Sequence, residues 1–169
     1  MTLPRATAIG HAHPGTDHVA LDYEGRLLRR RRLVSAGGRA FLVDLPETVS
    51  LSDGDAFRLD DGTEIAVRAA PEPLIEVTGD LARLAWHIGN RHTPCRIEAD
   101  RLLIRRDHVL AGMLRQLGAT LKEIEAPFAP EGGAYGHGRT FGHDHGHAHD
   151  HDHGHGHDHG HAHDHHHHD

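Results

Sequence analysis

From residue 143 to residue 169 nearly every second residue is histidine, and the residues between are almost only Asp, Gly and Ala. The imidazoles are those of His143, His145, His147, His149, His151, His153, His155, His157, His159, His161, His163, His165, His166, His167 and His168. Imidazole nitrogen is a borderline donor suited to nickel, copper and zinc. Neighbouring His-x-His units let two or three rings close on one ion without folded architecture. A segment whose only large apolar side chain is Phe141 buries too little surface to offset its ordering entropy, so residues 137–169 are expected to be a disordered ligand strip. An open strip cannot select nickel by itself, because the affinity order places copper above nickel and zinc. Interruption by Asp and Gly, and an ending on Asp169, set it apart from a purification tag. The bland accounts are a pH buffer or an acidic solubilising tail.

Other histidines could act as fixed ligands. His92 follows a helix stop and precedes Thr93-Pro94, a constrained loop in which an imidazole can be aimed. His108 starts a helix, whose positive end disfavours imidazolium and leaves the ring able to coordinate. A mononuclear site wants three or four ligands, so each taken alone reads as a surface or capping histidine. A symmetric dimer would double the supply by placing identical residues opposite each other. His11, His13 and His18 fall in a short turn-rich stretch and read as surface loop histidines; His87 reads as exposed or packed on Trp86. Cys95 reads as a buried, small, apolar side chain at a strand start.

The elements that must position these residues are legible from periodicity and turn chemistry. Strands are predicted near 19–23, through arginines 29–32 to Val34, and over 39–45, 55–59 and 63–68, with Asp61-Gly62 as a hairpin signal. The arginine run puts charge on both faces of its strand, which makes that strand solvated or an edge; the sharper reading is a docking surface for an acidic partner. This half is expected to be a small antiparallel β domain over 1–73, ending at Ala70-Pro71-Glu72-Pro73. From 74 to 136 the pattern changes. A strand at 74–77 leads to a helix capped by Asp80, with Leu81, Leu84, Ala85 and Ile88 on one face and Gly89 as its stop. A hairpin over 95–105 leads to a second helix capped by Asp107, with Leu110, Met113, Leu114 and Leu117 as its stripe and Gly118 as its stop, and then to a strand at 120–125. The order β-α-β-β-α-β is that of a ferredoxin-like domain. The whole is therefore α+β, and its topology puts His92, His108 and the exit to the histidine strip at one end.

Composition narrows the function classes. Of the formal charge of −7, residues from 137 onward hold −5 (six Asp against Arg139), leaving −2 for the body and no basic excess for nucleic acid. One cysteine excludes an intrachain disulfide. Residues 1–10 lack the apolar core of a signal peptide, and no run is long enough to cross a bilayer, so a cytoplasmic protein without a membrane partner is expected. Neither H-E-x-x-H nor G-x-S-x-G is present, and no enzyme is expected.

The segment His87-Ile88-Gly89-Asn90-Arg91-His92, followed by Asp107-His108-Val109-Leu110 and Met113-Leu114-Arg115-Gln116-Leu117-Gly118, resembles the UreE-type urease accessory proteins. Histidine-rich C-termini are typical of many of them. The resemblance implies a homodimeric nickel metallochaperone that delivers Ni2+ during urease activation, with Zn2+ or Cu2+ as other ions that could bind. It implies a peptide-binding-like N-terminal domain and a ferredoxin-like metal-binding domain. His92 matches the family's interfacial ligand, one copy per subunit, and His108 matches an accessory histidine. Some members carry another histidine where this chain has Arg106, which shifts weight towards His92 and the tail. The implied partners are the accessory GTPase and the apo-urease accessory complex. A histidine-rich storage or buffering protein for nickel or zinc is the alternative.

Overall fold

The computed structural model describes residues 2–132. The strip expected to be disordered, with all its histidines from His143 to His168, lies outside the described residues. Among the described residues no helix is long and apolar enough to cross a membrane.

The first half forms six strands: β1 (Arg5–His11), β2 (His18–Leu21), β3 (Leu27–Val34), β4 (Ala40–Ser50), β5 (Asp55–Leu59) and β6 (Glu64–Ala69). Alternation is clearest on β4. Along β4, Phe41, Val43 and Leu45 are buried while their neighbours are not, so one face turns inward. These residues join Ala6, Leu33, Phe57, Ile65 and Val67 in a common core, where the Phe41 and Phe57 rings lie 5.4 Å apart. The Asp61-Gly62 signal is realised as the β5–β6 turn, with Gly62 at φ +84.

The strand order β2-β6-β5-β1-β4-β3 corrects the expectation of a purely antiparallel domain. β1 runs parallel to β4, and β2 parallel to β6. Local pattern fixes which residues face inward, whereas partner choice is decided by long-range closure of the core. The sheet curls until its edge strands approach: Ala36 N donates to His18 O at 2.7 Å, and Ser35 Oγ donates to Asp17 at 2.5 Å. β3, with its four exposed arginines, is an edge as expected.

The second half runs β7 (Pro71–Thr78), α1 (Leu81–Asn90), β8 (Arg96–Ile97), β9 (Leu102–Arg105), α2 (His108–Gln116) and β10 (Thr120–Pro127), with the four strands in the order β10-β7-β9-β8. The stretch 70–73, read as the end of the first half, already contains the start of β7 at Pro71. Its prolines are tolerated because β9 pairs only with residues 74–77, leaving Pro71 and Pro73 beside β10 alone. Ile75, Val77, Leu102 and Ile104 of the sheet pack against Leu84 and Ile88 of α1 and Leu110, Ala111 and Leu114 of α2.

A third cluster joins the halves: Tyr23, Leu74, Leu103 and Phe128. Tyr23 and Phe128 meet edge to face at 5.3 Å, and Arg105 lies 4.9 Å from the Tyr23 ring centre while pairing with Glu24. Arg26 is buried here, donating to the carbonyls of Leu21 and Phe128.

Candidate metal site

Helix α1 does not stop at Gly89, as its sequence suggests, but runs to Asn90 with Arg91 as its C-cap. His92 then sits at φ +56, in the left-handed region. Its N–H donates to Gly89 O at 2.9 Å, and Thr93 N–H donates to Ile88 O at 3.4 Å, the paired bonds of a Schellman closure. Helix α2 closes the same way, Gly118 N–H to Arg115 O and Ala119 N–H to Leu114 O, with Gly118 at φ +85. The two helix ends are equivalent except that one carries glycine and the other histidine. A Cβ in that region costs about 1–2 kcal/mol relative to glycine. Pro94 explains why the closure falls here: it drives Thr93 to an extended conformation, so the chain must leave the helix just before it. Among the described residues His92 is the only non-glycine held at positive φ.

Such strain persists where the surroundings over-determine it and a function requires the side chain. Replacing His92 with glycine is accordingly expected to raise the unfolding free energy by about 1 kcal/mol in urea denaturation. The same substitution removes the imidazole.

His92 lines a cavity of about 180 Å³ with Ala85, Gly89, Thr93, Pro94, Cys95, Ile97 and Glu131. Cys95 is half-buried rather than fully enclosed. Burial, followed by the nearby Glu131 carboxylate, pushes its thiol up to about 11. With so little thiolate at neutral pH, Cys95 is expected to react with iodoacetamide far more slowly than glutathione in a timed alkylation assay, and to match it once the protein is unfolded.

His108 is the first residue of α2, and exposed. Asp107 caps the helix, accepting from Val109 N at 2.9 Å and Leu110 N at 3.0 Å. The bond from Leu110 leads the causes that hold its carboxyl below the usual range, and the charges of His108 and Arg91 add to it. The two histidines line different cavities. That of His108, about 260 Å³, is shared with Arg106, Asp107, Arg115, Lys122 and Glu123. Arg106 is anchored on the carbonyls of Leu74 and Ile124, which fixes a cation beside His108.

Among the described residues no three His, Cys, Asp or Glu side chains are placed to hold a metal ion. His13 is engaged with Glu64 at 2.9 Å, and the His87 ring stands edge-on to Trp86 at 5.0 Å. One chain's body thus presents single imidazoles. Sequence reading did not single out Glu131, which joins the His92 cavity because its N–H donates to Cys95 O at 2.8 Å.

Two sequence profiles match the chain, those of the UreE urease accessory protein N-terminal domain over residues 2–70 and C-terminal domain over residues 72–155. A urease accessory protein UreE of Paracoccus denitrificans is 70% identical over 127 residues, covering 75% of this chain and 82% of the relative. Those of Ruegeria pomeroyi and Rhodobacter capsulatus are 60% identical over 144 residues and 65% over 124, covering 83% and 73% of this chain and 97% and 80% of the relatives. Matched in both halves, and this similar to relatives over most of their length, the chain belongs to the UreE urease accessory protein family.

Proposed function

We propose that this protein is a cytoplasmic nickel metallochaperone that works as a homodimer and hands Ni2+ to urease during assembly of its active site. The supporting observation is the histidine at the left-handed closure of α1, where glycine would cost less. Ile97, which lines the same cavity, is 52% exposed, and Trp86 of α1 is 64% exposed, apolar surface that a second copy would cover. Twofold pairing there would bring two His92 imidazoles to one ion, which remedies the shortage of ligands in a single body. His108 serves as an accessory ligand. The histidines from His143 to His168 collect the ion, and Zn2+ or Cu2+ can enter the same ligands.

In this reading residues 1–73 form the N-terminal, peptide-binding-like domain, residues 74–136 a ferredoxin-like domain that carries the fixed site, and residues 137–169 the collecting strip. Nickel moves by ligand exchange, imidazoles entering and leaving one at a time. An incomplete protein shell leaves positions open for a recipient, so no step requires a bare ion. The recipients are the accessory GTPase and the apo-urease accessory complex. The chain itself performs no catalysis. Below about pH 6 imidazoles hold protons that compete with metal, so loading weakens.

The test is a urease-positive host lacking its own counterpart of this protein, supplied with limiting nickel. Expression of the chain should restore urease activity, and the His92→Ala chain, retaining the strip, should not. Equal restoration by both would favour storage by the strip over delivery through a fixed site.

A further inference from the structure

The edge strand β3 carries Arg29, Arg30, Arg31 and Arg32 in succession, all exposed, between the buried Leu28 and Leu33. Regular alternation would turn two of the four inward. The register against β4 shifts between Leu28 and Arg30, with the extra residues on β4, and all four arginines nevertheless remain exposed. Among the described residues only Arg30 of the four has a carboxylate partner, Asp44 at 3.0 Å, which Arg5 shares at 3.2 Å. Charge on an edge strand discourages sheets from joining edge to edge. That purpose needs one or two charges, not four consecutive arginines on a body of net −2 (−7 in total less −5 from residue 137 onward).

The chain beyond Gly132 starts within reach of this patch. Phe128 packs on Tyr23, and Arg26, the residue before β3, donates to the Phe128 carbonyl. Four residues lead from Phe128 to Gly132 and three from Arg26 to Arg29, so residue 133 begins within about 30 Å of the arginines. The twelve residues from Gly132 to Asp144 span up to about 40 Å when extended. Beyond them come Asp144, Asp150, Asp152, Asp158, Asp164 and Asp169, spaced among neutral imidazoles.

We propose that the acidic histidine-rich segment 144–169, free of metal, docks its carboxylates on the guanidinium groups of Arg29, Arg30, Arg31 and Arg32, and that divalent metal bound by its histidines releases it. Each ion adds two positive charges to a segment of −6 (six Asp over 144–169), so three ions cancel its charge. Arginine suits the task because its planar fork takes a carboxylate through two donors. The docked strip is a low-metal state, and the loaded strip is free to reach a ligand site. The release step rests on reading the strip as a metal ligand; the docking step does not.

The full chain carrying Cys95→Ser and Ala162→Cys, labelled with a nitroxide at position 162, tests both steps by paramagnetic broadening of backbone amides. Without metal and at low salt, the amides of residues 29–32 should broaden selectively. Replacing the six strip aspartates with asparagine, which leaves the folded body untouched, should reduce that broadening by about fivefold or more, as should 0.5 M NaCl. Saturation with diamagnetic Zn2+, counted by chelator competition, should do the same. Absence of broadening, or broadening unchanged by the asparagine substitutions, would overturn the docking. Zinc bound to the strip with broadening undiminished would overturn the release. Zinc not bound there would instead remove the metal-strip reading, and the asparagine result would still decide the docking.

Discussion

His92→Ala is expected to weaken the tightest nickel binding of the full chain by at least about 100-fold while leaving the fold intact. One substitution in a symmetric dimer deletes both copies of the fixed ligand, a greater loss than the 10- to 100-fold that follows from disturbing a group behind a ligand. The surroundings tolerate the change, since alanine at φ +56 is strained much as histidine is. Competition with a chromophoric chelator reads the effect. The strip should still bind several ions more weakly, so the isotherm loses its first, tight phase and keeps its later ones. The contrast with His92→Gly matters here, because both variants lose the site and only the glycine variant should gain stability. Together they separate the imidazole's chemistry from the backbone's strain.

Phe128→Ala is expected to lower the unfolding free energy by about 3–5 kcal/mol, the usual range for deleting a fully buried aromatic ring. The ring is 0% exposed, and it packs with Tyr23, Leu74 and Leu103 where the two halves meet. The loss reaches further than one cavity. Arg26 is buried against the Phe128 carbonyl, and its Nε has no hydrogen-bond partner among the described residues, so loosening this junction leaves a desolvated guanidinium less well satisfied. Urea denaturation followed separately by Trp86 fluorescence, which reports the second half, and by far-ultraviolet circular dichroism should show the midpoint falling. The two probes should diverge if the junction is what makes the halves unfold together.

Much of this architecture was legible before any coordinates, and the reasons differ by element. Asp80 and Asp107 announced both helices because a side-chain oxygen ahead of an apolar stripe satisfies amides that nothing else can reach. Asp61-Gly62 announced its hairpin because few residue pairs accept that backbone. Both are local facts. The parallel pairing of β1 with β4 and of β2 with β6 is not local, since the same inward-facing residues would suit several strand orders. Phe128 lies beyond the strand read as ending at 125, and its partner Tyr23 is distant in sequence, so the junction carried no periodic signal.

The site was legible in part. The segment around Gly89 to His92 drew attention to the loop that holds His92 at positive φ, but Gly89 looked like the helix stop and concealed the closure at His92. Thr93-Pro94 was the available clue, because a proline sets where the preceding residue must leave the helix. The placing of His92 and His108 in two cavities was not legible, because it depends on side chains such as Arg106 whose anchoring only the fold reveals.

The central claim is a fixed nickel site made by two chains rather than by the strip. The most direct test is nickel titration by calorimetry, with the mass of the complex measured in parallel, on the chain ended after Tyr135 and so lacking the strip. The account predicts half an ion per chain and a dimer. A chain that binds no nickel without its strip would contradict the account and leave storage as the better description.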